Sequence, residues 1–168
     1  MTGGPAIAAE RTDGVEPVLF DRLDAIAKLG DGDLAGHAEG YAGELLAAGE
    51  TVLEAWLAGH GRDAGVKPVE GYRLLGLHRA GARGDPSFNA CRETCRELVY
   101  RTNCARVGGE APEIARQLRL GAMVARHLAL FIDGKLETEG LGEFCCSSRG
   151  LRGGNSGPAP IETPNRSE

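Results

Sequence analysis

Apolar residues recur every three to four positions from about residue 16 to residue 132, which is the spacing of one buried helix face. A first helix is expected over about 16–29, with Phe20, Leu23, Ile26 and Ala27 inward and Gly30 as its stop. Asp31 and Asp33 offer caps for a second and longest helix, about 33–60. Its seam is Leu34, Ala38, Tyr41, Leu45, Ala48, Val52 and Ala55, widened by Leu53, Trp56 and Leu57. Gly36, Gly40, Gly43 and Gly49 weaken it by about 1 kcal/mol each relative to Ala.

After a loop, Pro68 fits the first turn of a third helix, about 68–80. Glycines at 81 and 84 break it, and Asp85-Pro86 reads as the cap and first residue of a fourth helix running to about 106. Pro112 opens a fifth, about 112–132, ended by Asp133-Gly134. Ile114, Leu118, Ala122, Ala125 and Ala129 lie on one side of it and Leu120, Val124, Leu128 and Phe131 on another, so it is expected at the centre. Lys135 to Thr138 reads as a short extended piece. Helices joined by short loops pack against their sequence neighbours in opposite directions. The expected fold is therefore an all-α antiparallel bundle of about five helices. Residues 1–15 read as a mobile arm, 16–147 as the helical domain, and the Gly/Pro/Ser-rich stretch 148–168 as a disordered tail.

Composition narrows the function more than the fold. A net charge of −5 and 5% aromatic residues argue against a nucleic-acid partner, which needs basic surface and stacking platforms. No uncharged apolar run is long enough to span a bilayer, and the N-terminal stretch lacks the basic and apolar segments of a secretory signal. The expected location is the cytoplasm, where thiols stay reduced. Five cysteines, an odd number, also argue against a closed disulfide framework.

The candidate chemistry lies on the fourth helix. Phe88, Cys91, Cys95, Leu98 and Thr102 form a seam carrying two thiols one turn apart. Their Cβ atoms should be about 5–6 Å apart, whereas a disulfide wants about 3.5–4.5 Å, so a bridge between them is strained and not expected in a regular helix. Two thiolates can still share a metal placed between them. Further donors must come from elsewhere. His78 precedes the tight turn into this helix, and Cys145-Cys146 lies in a Gly/Ser context that could fold back. The candidate ligand set is thus Cys91, Cys95, His78, Cys145 and Cys146, thiolate-rich donors that suit zinc, copper(I) or an iron–sulfur centre. Cys104 falls half a turn out of phase with the other two thiols. Placed six residues inside an α-helix, Cys91 is expected to lie beyond the reach of the helix dipole. Nothing local then lowers its pKa, which counts against a nucleophilic cysteine.

Among other residues, His127 reads as a core histidine and His60 as an exposed helix end. Arg116, Arg119 and Arg126 form a basic stripe, and Arg83-Gly84-Asp85 is a turn leading to a cap. His37 and Glu44 lack the spacing of a carboxylate-bridged metal site. The leading expectation is a small cytoplasmic accessory protein that binds a metal ion or cluster, or cycles its redox state, through helix-borne cysteines. One alternative is a helical adaptor whose cysteines are core packing. Another is a small helical enzyme acting on an apolar ligand, with Tyr41, His78 or His127 as acid or base. The expected partner is another protein or a second copy of the chain, with no nucleic acid and no membrane.

Overall fold

The structure, a computed structural model, describes residues 17–140. Within them the chain forms six α-helices: α1 (Pro17–Lys28), α2 (Asp31–Gly36), α3 (Ala38–Gly59), α4 (Arg73–Gly81), α5 (Arg92–Val107) and α6 (Ala111–Thr138). A 3₁₀ segment, Pro86–Cys91, leads directly into α5. The fold is an all-α bundle, with no strand among the described residues. No helix of that region is long and apolar enough to cross a membrane.

Helix α6 is the central element. It packs against α1, α2, α3 and α5, and Ile114, Leu118, Ala122, Ala125, Leu128, Ala129, Ile132 and Leu136 are buried along it. It runs through Asp133-Gly134, where a stop and an extended piece were expected. Gly134 and Leu136 both face the core, so packing outweighs the glycine's weak helix preference. Its last turn is also tethered: Lys135 Nζ lies 3.0 Å from Asp85 and 2.5 Å from Ser87 Oγ.

Two other helix boundaries differ from expectation for local reasons. The expected helix 33–60 divides at His37, whose backbone (φ −128°, ψ 30°) leaves the helical region just after Gly36. The ring of His37 closes the end of α2 through a contact with the Asp33 carbonyl at 3.2 Å. The third helix starts at Arg73 instead of Pro68, because Glu70 (φ 53°) and Gly71 (φ 83°) take left-handed conformations that no right-handed helix contains. Val69 and Tyr72 bridge across this turn. Preceding chain then lies tightly on α4: a Cβ at Gly76 would sit 2.3 Å from the Lys67 carbonyl oxygen.

Candidate functional site

Asp85 caps the 3₁₀ segment, accepting a hydrogen bond from the Ser87 amide at 3.0 Å. Ser87 Oγ donates to the same carboxylate, and the tighter register persists up to Cys91. There the amide of Arg92 bonds to the carbonyl of Asn89, three residues back, where an α-helix would have used Phe88. The Phe88 carbonyl is left to receive side chains. Cys91 Sγ donates to it at 3.1 Å, and His78 Nε2 at 3.2 Å. A carbonyl only accepts, so Nε2 carries a proton in this arrangement.

The Phe88 ring fixes the same corner from its apolar side. It stacks on the His78 ring (5.4 Å between centroids, 18°) and on Trp56 (4.8 Å, 21°), and Trp56 in turn lies against His60 (4.1 Å). Trp56 Nε1 donates to the Gly81 carbonyl at 3.3 Å. A side chain at Gly81 would meet both aromatic rings at 2.9 Å, so this glycine is what lets α4 approach the stack.

Three residues of the expected set, His78, Cys91 and Cys95, therefore come together at the α4–α5 corner. All three are buried: His78 is 6% exposed, Cys91 2% and Cys95 0%. The Cys95 thiol hydrogen-bonds Cys91. That bond is the main force holding Cys91 down to about 6; burial acts in the opposite direction, and the His78 imidazole adds a hydrogen bond and positive charge. Cys95 is pushed far above the ordinary thiol range by the same bond, by burial and by the Cys91 charge. For His78, burial is the largest influence and disfavours the imidazolium. The Cys91 hydrogen bond and charge, with the Phe88 carbonyl, outweigh it, against opposition from Arg92, and the net shift is upward. When Cys91 ionises it gives up its own hydrogen bond to the Phe88 carbonyl, and the sulfur is then held by the Cys95 thiol as donor beside the His78 imidazolium. The expectation that nothing local lowers the Cys91 pKa is corrected at Cys95, one turn on, whose thiol is the larger influence. Cys91 stands at a register change instead of inside a regular α-helix, and a tertiary neighbour supplies the charge.

Cys145 and Cys146 lie outside the described residues. Among the described residues no group of three or more His, Cys, Asp or Glu side chains is arranged to hold a metal ion. A metal centre here would thus need donors from outside the described residues, as the expected set with Cys145 and Cys146 does. Cys104 is half-buried, and its thiol is hydrogen-bonded to Tyr100. His127, read from sequence as a core histidine, is exposed on the rim of a groove between α5 and α6 with Tyr100 and Met123. His60 is partly buried and pairs with Glu139 at 2.6 Å. The basic stripe of α6 is fully engaged: Arg116 with Glu113, Arg119 with Asp31, and Arg126 with Asp24.

Sequence reasoning missed the open side of the corner. A groove of about 570 Å³ runs between α4 and the start of α5, with His78 in its wall and Arg79, Arg83, Arg92 and Arg96 around it. No family model, no curated protein and no solved structure matches the chain.

Proposed function

We propose that this chain is a thiol-redox protein whose reacting atom is the sulfur of Cys91. The observation that supports the reading is the burial of Cys91, Cys95 and His78 together at the 3₁₀-to-α junction, with the Cys91 sulfur and the His78 ring both on the Phe88 carbonyl. A low-pKa thiolate is the reactive form of cysteine near neutral pH. Such a centre belongs in a reducing compartment, consistent with a cytoplasmic accessory role.

A small hydroperoxide is the oxidant class that a sulfur so little exposed can admit. In that step the Cys91 thiolate attacks the distal peroxide oxygen; an S–O bond forms and the O–O bond breaks. The departing alkoxide takes the imidazolium proton of His78 and leaves as an alcohol, so the peroxide is reduced and Cys91 becomes a sulfenic acid. Cys95 then attacks the oxidised sulfur, its proton leaving with the hydroxyl as water, to give a Cys91–Cys95 disulfide. Helical spacing holds the two Cβ atoms about 1–2 Å too far apart for a relaxed bridge. The disulfide is accordingly strained and easily returned to the dithiol by two equivalents of an external thiol.

The test uses a chain carrying Cys104→Ser, Cys145→Ser and Cys146→Ser, alkylated with iodoacetamide over a range of pH and read by mass. The rate at Cys91 should climb through a midpoint near 6 and then level off. Cys95→Ala should move that midpoint upward the most, because it removes the largest stabilising bond, and His78→Gln should move it upward by less. A midpoint in the ordinary thiol range, about 8.5, or no reaction at Cys91, would sink the reading. Metal analysis of the full chain purified without oxygen checks the competing one. Stoichiometric zinc, copper or iron that disappears in a Cys91→Ser/Cys95→Ser variant would make the thiols ligands.

A further inference from the structure

We propose that the groove beside His78 is a binding site for a compact oxyanion, the phosphate or carboxylate group of a small molecule. Its lining holds four guanidinium groups, Arg79, Arg83, Arg92 and Arg96, against a single carboxylate, Glu70. That balance is unusual in a chain whose net charge is −5. Glu70 is already committed, since it takes a hydrogen bond from Arg96 Nη2 at 2.6 Å. Arg92 reaches only its sequence neighbour Glu93, at 4.0 Å. Arg79 and Arg83 have no side-chain partner among the described residues, whereas each of the other described arginines has a carboxylate or backbone-carbonyl partner. The unpartnered pair lines this groove, and stands on the ridge it shares with a neighbouring groove that holds Arg62 and Asp63.

Placement adds to the argument. Arg92 occupies the first turn of α5, where the helix dipole disfavours a cation. Like charges gathered this way repel one another and cost stability unless something anionic joins them. Guanidinium forks match the geometry of phosphate and carboxylate oxygens, two hydrogen bonds to one group. Asn89 contributes an amide to the same wall. His78 lines the groove and interacts with the Cys91 sulfur, so an anion bound here sits beside the imidazole that serves the thiol. Resting on the thiol reading above, the occupant is then the anionic end of the molecule that Cys91 attacks.

Inorganic phosphate is titrated into the full chain at low salt and followed by amide shifts over residues 79–96. Saturable binding is expected, weakening as salt rises. An Arg79→Gln/Arg83→Gln variant should bind about five- to tenfold more weakly, given the modest worth of each exposed pair. Both residues are exposed, so the variant should stay folded. Succinate in a parallel titration shows whether carboxylates share the site. Absence of saturable binding, or equal affinity in the variant, overturns the proposal. Alkylation of Cys91 by anionic iodoacetate is then compared with that by neutral iodoacetamide. The rate ratio should favour iodoacetate in the native chain and fall in the arginine variant; a ratio equal in the two chains overturns the link to the thiol. If Cys91 proves inert while phosphate still binds, only the thiol reading has failed. If Cys91 titrates near 6 but phosphate does not bind, only the groove has.

Discussion

Helix α6 and the α4–α5 corner are built under opposite rules. Along α6 the apolar pattern and the charges agree, and packing carries the helix over its glycines. Its core positions are filled by Leu, Ile and Ala, and Arg116, Arg119 and Arg126 each meet a carboxylate. At the corner these levels disagree: a helix changes register, polar groups are buried in contact with one another, and four cations gather around a single carboxylate. Sequences that fold well are locally consistent, and departures from consistency concentrate where something other than stability is being selected. The contrast is the reason for seeking function at the corner instead of along the longest helix.

The sharpest way to separate the two regions is to hollow out each in turn. Leu118 and Phe88 are both 0% exposed. Leu118→Ala should cost about 2–5 kcal/mol and Phe88→Ala about 3–5 kcal/mol of folding stability, measured by urea unfolding. The two variants should then diverge. Leu118→Ala is expected to leave the Cys91 midpoint near 6, whereas Phe88→Ala frees the His78 ring from its stack and should carry the midpoint upward. Equal midpoints in both variants would mean that the aromatic stack does not position the imidazole.

A gentler probe adds one methyl group to each region. In α6, a Cβ at Gly121 would lie 3.0 Å from Leu45 Cδ1, a terminal methyl of a buried side chain that need give by only a few tenths of an ångström. Helix preference gains about 1 kcal/mol from the change, so Gly121→Ala should be close to neutral. At the corner, a Cβ at Gly81 meets the rings of Phe88 and Trp56, both fully packed, at 2.9 Å. Overpacking of that kind costs about 1–3 kcal/mol. Thermal unfolding of the two variants should show a clear loss for Gly81→Ala alone. A loss of equal size in Gly121→Ala would show that α6 is as tightly constrained as the corner.

What could be read from the sequence follows the same division. The period of apolar residues located α1, α3, α5 and α6, because burial of one face is the strongest determinant of a helix and leaves a repeating trace. Gly36-His37 and Glu70-Gly71 redirect the chain through backbone dihedrals, and a pattern of apolar positions says nothing of those. The pairing of Cys91 with Cys95 was legible, since four residues make one helical turn. The approach of His78 could be suspected from its place before a tight turn. The register change was not legible: Asp85-Pro86 announces a helix start, and nothing in the pattern tells three residues per turn from 3.6 over so short a span. The arginines of the groove were hidden for a related reason. Arg79 and Arg83 lie on one side of a turn and Arg92 and Arg96 on the other, and only the folded corner brings them together.

The smallest expected effect tests the charges. Arg126 on α6 pairs with Asp24 at 3.1 Å, with both side chains partly exposed, and its guanidinium lies over the Phe20 ring at 5.3 Å. Arg126→Gln should therefore cost about 0.2–1 kcal/mol, the usual range for an exposed ion pair, and less at high salt. Arg79 has no such partner and stands among three like charges. Arg79→Gln should leave stability unchanged or raise it slightly in low salt, with the difference vanishing as salt is added, because the term removed is a repulsion. Urea unfolding at two salt concentrations reads both signs. A destabilisation by Arg79→Gln equal to that of Arg126→Gln would place Arg79 among the residues that hold the fold together. The excess of cations at the corner would then be a structural matter, and the groove would lose its claim on an anion.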